Sequence, residues 1–193
     1  MRMFFSRLAL AWVWLLITCP TLAAEPVVKE IVRKYRISGQ TAQDLRREMN
    51  LKGPAGAGGR RFDAYTAWWV KWNYRWWESP SECRITAVAT QVRVSYTLPA
   101  WDQYDRSSDE LKQQWDRYYQ ALLAHEKGHR EFGLRAAREI EQVIWDLGRR
   151  GTCAQLEREA NAVAQAALDR YILMEEQYDA DTAHGAATGA VFP

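Results

Sequence analysis

The 193 residues suit one domain with its own apolar core, and a composition 48% hydrophobic and 26% charged excludes a disordered chain or a disulfide-dense miniprotein. The formal charge is +2, and without Arg2 and Arg7 of an N-terminal leader Lys+Arg falls from 26 to 24, equal to the 24 Asp+Glu. A near-neutral mature chain with no basic run argues against a dedicated nucleic-acid binder.

Residues 1–24 read as a signal peptide: Arg2 and Arg7 form the positive n-region, Leu8 to Ile17 the apolar h-region, and Thr21-Leu22-Ala23-Ala24 the small-residue exit. The apolar run is short for a bilayer span, so cleavage near Ala24 is favoured over a retained anchor. The expected product, residues 25–193, is periplasmic or secreted and without stable membrane insertion. Thr18 before Cys19 disfavours lipoprotein processing. Cleavage leaves Cys83 and Cys153, most simply one structural disulfide in an oxidising compartment, with two buried free thiols as the alternative.

Along the mature chain, Val27, Ile31, Tyr35 and Ile37 share one parity, as in a half-buried strand. Thr41 with Asp44 opens a short helix that stops before Gly53-Pro54, and a loop follows to Gly59. From Ala64 to Trp77, Trp68, Val70, Trp72, Tyr74 and Trp76 alternate with Lys71, Asn73 and Arg75, while Trp69 and Trp77 fall on the wet parity. A second alternating run, Arg84 to Leu98, completes a predicted hairpin through Ser79-Pro80-Ser81. Ser107 with Glu110 then caps a long helix whose stripe includes Leu111, Trp115, Tyr118, Leu122, His125, His129 and Phe132. Gly148 and Gly151 end it, and Thr152 with Gln155 opens another that turns Leu156, Ala160, Val163, Ala167, Tyr171, Met174 and Tyr178 inward. The expected fold class is α+β: a small antiparallel sheet packed against a long antiparallel helical hairpin, joined by Cys83–Cys153, with a zincin-like active-site helix.

Residues four apart on a helix lie nearly one above the other, so His125 and His129 of the His125-Glu126-Lys127-Gly128-His129 segment can address one ion. Glu126 is one position round, placed to move a proton as general base rather than to ligate. The chain holds only three histidines, and two sit in this motif on the buried stripe, where a Zn2+ ion would satisfy them together. The metzincin extension is absent, because Phe132 and Arg135 stand where its glycine and third histidine would be. Folding the second helix back on the first brings the region of Tyr171 to Glu176 level with the histidines. His184 in the tail is the favoured third ligand and Glu175 the alternative, with Glu176 and Asp181 as further acids. Tyr171, Tyr178 and Arg135 are candidate oxyanion donors, and Gly128 and Gly133 are either places where backbone or substrate approaches the helix closely or ordinary tolerated glycines.

Most of the mature chain resembles a bacterial family of unknown function described as predicted secreted zinc-dependent proteases. The likeness is carried by Tyr35-Arg36-Ile37-Ser38-Gly39 with Thr41, Gly53-Pro54, the Trp-rich strand from Phe62 to Trp77, and Cys83. It continues through Leu98-Pro99-Ala100-Trp101, Trp115, the His125 to His129 core, Cys153, and Tyr178 to Gly185. It implies zinc and a hydrolytic role, and it raises His184 through the Thr182-Ala183-His184-Gly185 ending. The expected function is therefore a zinc-dependent metallopeptidase acting on a protein or peptide substrate. The alternatives are a zinc hydrolase of cell-wall peptide or amide bonds and a non-catalytic zinc-containing binding module.

Overall fold

A computed structural model describes residues 25–56 and 59–193; the expected leader lies outside the described residues. The elements are β1 (Val27–Ile37), α1 (Ala42–Lys52), β2 (Tyr65–Ser79), β3 (Glu82–Trp101), α2 (Asp109–Trp145), β4 (Arg149–Arg150) and α3 (Cys153–Thr182). No helix among the described residues is long and apolar enough to cross a membrane.

The fold is α+β, but the sheet is mixed rather than antiparallel. β2 and β3 form the expected antiparallel hairpin, β4 pairs antiparallel with the start of β3, and β1 pairs with β3 in parallel, Val27 opposite Gln91 through Ile37 opposite Trp101. The reason lies in the connection. β1 ends, and β2 begins, at the same end of the sheet, with α1 and the following loop crossing between them. These two strands therefore run opposite ways, and β3, the hairpin partner of β2, must run with β1.

Local chemistry sets most of the helix boundaries. The Thr41 and Thr152 hydroxyls accept hydrogen bonds from the Asp44 and Gln155 amides, as capping demands. For α2 the cap is Ser108, which accepts from the Leu111 amide, and not the expected Ser107, whose hydroxyl donates to the Gln103 carbonyl. The helix α3 runs to Thr182, one turn beyond Tyr178, and stops where Ala183, His184 and Gly185 all take left-handed φ values of 48°, 52° and 87°.

On one face of the sheet, Val92, Val94, Tyr96 and Leu98 of β3 are buried, with Trp68, Val70, Trp72 and Tyr74 of β2 half-buried beside them. This is the face that packs on α2 and α3. The opposite face of β1 is open over most of its length: Val27 and Ile31 are 58% and 45% exposed, and only Ile37 at the strand end, under α1, is fully buried. The expectation of a half-buried strand thus fails for most of β1, which is exposed on both faces from Val27 to Lys34 because α2 and α3 pack on β2 and β3 and leave this edge strand uncovered.

Two apolar clusters result. One gathers Leu45, Met49, Trp101, Trp115, Tyr118 and Phe192. The other gathers Ile140, Ile144, Leu156 and Ala160 around Cys83, which is joined to Cys153 by the expected disulfide. That bond ties the tip of the β2–β3 hairpin to the start of α3 across a sequence separation of 70. Closing a loop of that size removes enough unfolded-state entropy to stabilise the fold by about 4 kcal/mol. Urea unfolding with and without reductant should show a loss of that order; equal midpoints would assign the second cluster's stability to packing alone.

Candidate metal centre

Between Leu122 and Leu134, both in the first cluster, α2 turns polar. His125, Glu126 and His129 are 4%, 4% and 6% exposed, and each therefore needs a specific partner. α3 supplies them. It runs antiparallel beside this stretch of α2, bringing Glu175 to His129 and Asp179 to both histidines.

The hydrogen-bond inventory assigns the imidazole tautomers. The Thr182 hydroxyl donates its one hydrogen to the Tyr178 carbonyl at 2.7 Å, so towards His125 Nδ1, 3.5 Å away, it offers only a lone pair. An ionised Glu175 carboxylate is likewise acceptor-only, and it lies 2.9 Å from His129 Nδ1. In the neutral rings each Nδ1 therefore carries the hydrogen, and each Nε2 presents a lone pair.

These two Nε2 atoms are 3.1 Å apart, and Asp179 Oδ1 lies 3.2 Å from the first and 3.1 Å from the second. Asp179 Oδ1 is buried without a hydrogen-bond partner. Three acceptors thus converge with no hydrogen among them, which is unfavourable unless a cation or a proton is shared there. The spacing suits a metal, since ligand atoms about 2.0–2.1 Å from a tetrahedral zinc are roughly 3.3 Å from one another. His125, His129 and Asp179 form a possible metal-binding triad.

Titration follows from the same contacts. Burial disfavours the charged ring of His129, but Asp179 and Glu175 outweigh it, and its pKa is pushed up to about 9. Burial also acts against the Asp179 carboxylate, yet the histidines hold it well below the usual carboxylate range. Glu126 stands outside the triad. Burial raises its pKa, while the Thr66 hydroxyl, donating to Oε2 at 2.5 Å, pulls the other way and fixes the carboxylate.

The structure places the other sequence candidates as follows. His184 is not in the triad; its Nδ1 is 3.3 Å from Asp179 Oδ2, and its ring packs on Phe62. Glu175 contacts His129 through Nδ1, the nitrogen facing away from the triad. Glu176 and Asp181 are exposed. Tyr178 stacks on the His125 ring, with centroids 5.0 Å apart, and its hydroxyl lies 3.4 Å from the His125 carbonyl. The Arg135 guanidinium lies over the rings of Tyr171 and Phe132. Asp179, Thr66 and Thr182 went unread in the sequence. Asp179 had a signal, because it lies four residues after Glu175 on the stripe that includes Tyr171.

Both helix glycines are close-approach positions. A Cβ on Gly128 would lie 2.3 Å from the Tyr178 hydroxyl, and one on Gly133 would lie 3.0 Å from the Trp68 ring. Gly128→Ala should therefore destabilise by roughly 1–3 kcal/mol through overpacking, despite the better helix propensity of alanine. A thermal melt checks this, and a rise in melting temperature would show that Tyr178 moves freely.

The triad opens on a cleft of about 690 Å3 between β2 and α3, whose walls include Phe62, Trp68, Leu168, Ile172 and Glu176. β2 pairs only with β3 among the described strands, so the strand edge beside this cleft has no partner strand.

Comparison with known proteins gives one family match: residues 32–185 fit the family described as "Bacterial protein of unknown function (DUF922)". No curated protein and no solved structure matches the chain.

Proposed function

The chain belongs to that bacterial family of unknown function, and we propose for it a zinc-dependent hydrolase of peptide bonds, working outside the cytoplasm. The observation that carries the proposal is the convergence of His125 Nε2, His129 Nε2 and Asp179 Oδ1, with the oxygen left buried and unpartnered. Two imidazole nitrogens and one carboxylate oxygen are a donor set that suits zinc, and three protein ligands are what a catalytic rather than a closed structural site has. When bound, zinc supplies Lewis acidity for water and for the scissile carbonyl. His125, His129 and Asp179 would hold it.

The chain's own residues account for the remaining steps. Glu126, buried beside the triad and oriented by Thr66, takes a proton from the attacking water and returns it to the leaving amine. Glu175 and Thr182 keep the imidazoles in the tautomer that leaves both Nε2 atoms free. Peptide is favoured over other amides by the cleft wall, where the unpaired β2 edge can add an extended chain through backbone hydrogen bonds. Leu168 and Ile172 opposite offer apolar contact to its side chains. The disulfide fits an oxidising compartment, as export requires.

Elemental analysis of the purified protein tests the reading. About one zinc per chain, together with cleavage of an unfolded protein substrate that a chelator abolishes, is expected. Failure to bind zinc after loading would overturn it.

A further inference from the structure

We propose that the open face of the sheet, on the side away from the metal centre, docks the protein peripherally on an anionic phospholipid surface. The strand registers put Val27, Gln91 and Lys71 in one row across β1, β3 and β2. Lys29, Arg93 and Trp69 form the next, then Ile31, Ser95 and Ala67, then Arg33, Thr97 and Tyr65. Further along the hairpin the same face carries Arg75, and Trp77 opposite Arg84.

Six cations thus share one face: Lys29, Arg33, Lys71, Arg75, Arg84 and Arg93, all exposed. None makes an ion pair among the described residues. The face holds no carboxylate between the hairpin tip and the row of Thr97. Lys29 and Arg93 are direct cross-strand neighbours, an arrangement that costs stability unless an anion lies against it. The chain as a whole is near neutral, so this is segregation of charge and not excess.

The apolar groups on the same face select the anion. Val27, Ile31, Tyr65, Trp69 and Trp77 are 58%, 45%, 49%, 54% and 47% exposed. Trp and Tyr rings partition into the interface of a bilayer, aliphatic side chains into its apolar margin, and Lys and Arg are drawn to anionic headgroups. The three-strand face is also long: Tyr65 to Trp77 spans about 40 Å at the usual strand rise. Single-stranded nucleic acid fits less well. Tyr65 and Trp69 are about 13 Å apart along the strand, too far to stack successive bases, and Val27 and Ile31 offer bases nothing.

Vesicle flotation tests the proposal, using protein purified from the periplasm of an expressing bacterium. Partition onto phosphatidylcholine vesicles containing roughly a third phosphatidylglycerol should exceed that onto pure phosphatidylcholine by about tenfold or more, and should collapse in high salt. Lys71→Glu with Arg93→Glu should lower the anionic partition by about tenfold with zinc content unchanged and the melting temperature not lowered, since Arg93→Glu relieves the repulsion with Lys29. Trp69→Ala, which leaves every charge in place, should lower it by roughly threefold to fivefold. Equal partition onto both vesicles, or variants that bind like the parent, would overturn the proposal. So would tight binding of a single-stranded oligonucleotide without binding to the anionic vesicles.

Discussion

Asp179→Ala is expected to strip the protein of its zinc. The carboxylate contributes one of three converging ligand atoms, and its Oδ1 is the one that lies within 3.2 Å of both histidine nitrogens. Even partners one shell removed from a metal are worth about 10–100-fold in affinity, so loss of a ligand should exceed about a hundredfold. The readout need not involve catalysis. Zinc at a hundred times its dissociation constant stabilises the folded state by about 2.7 kcal/mol, which for a domain of this size raises the melting temperature by roughly 5–10 °C. That rise should vanish in Asp179→Ala and in His129→Ala. His184→Ala gives the discriminating comparison. If His184 only steadies Asp179 through Oδ2, zinc should be retained with about tenfold weaker affinity. If His184→Ala loses the metal while Asp179→Ala keeps it, the sequence assignment of the third ligand stands and the triad drawn from the structure falls.

What the linear pattern reveals depends on how local the cause is. The α2 stripe was legible because a 3.6-residue period reports one face of one helix, and it put His125 and His129 on the buried side where the structure has them. The Trp68 to Tyr74 face was legible for the same kind of reason at period two. Two remaining cysteines in an oxidising context left little choice of partner. Asp179 was harder. The run Asp179-Ala180-Asp181-Thr182-Ala183-His184-Gly185 reads as a helix end, yet α3 continues to Thr182 and its stop is set by left-handed Ala183 and His184. That extra turn carries Asp179 under the histidines and swings His184 to its far oxygen.

Nonlocal features left no linear trace. Thr66 meets Glu126 across 60 positions, from a strand whose alternation marks it only as inward-facing. The parallel pairing of β1 depends on where the α1 crossover delivers the chain, which no periodicity encodes. The basic face is assembled from single Lys and Arg residues on three strands, so a search for a basic run passes over it.

Glu126→Gln should keep the zinc and lose the chemistry. Glutamine has the same shape and can still accept the Thr66 hydrogen bond through its amide oxygen, so folding and metal content should match the parent. It cannot take a proton from water. General acid–base groups typically contribute 10²–10⁴-fold, so kcat on an unfolded protein substrate should fall by about that factor with KM little changed. Thr66→Val separates positioning from proton transfer. It removes the hydroxyl that fixes Glu126 Oε2 while leaving the carboxylate present, and kcat should drop by roughly tenfold. A fully active Glu126→Gln protein would mean that the proton moves through another group. Retained zinc with no activity in any variant, the parent included, would instead favour a binding module built on the same triad. The graded series of parent, Thr66→Val and Glu126→Gln at constant zinc is what a buried, oriented carboxylate beside a metal requires.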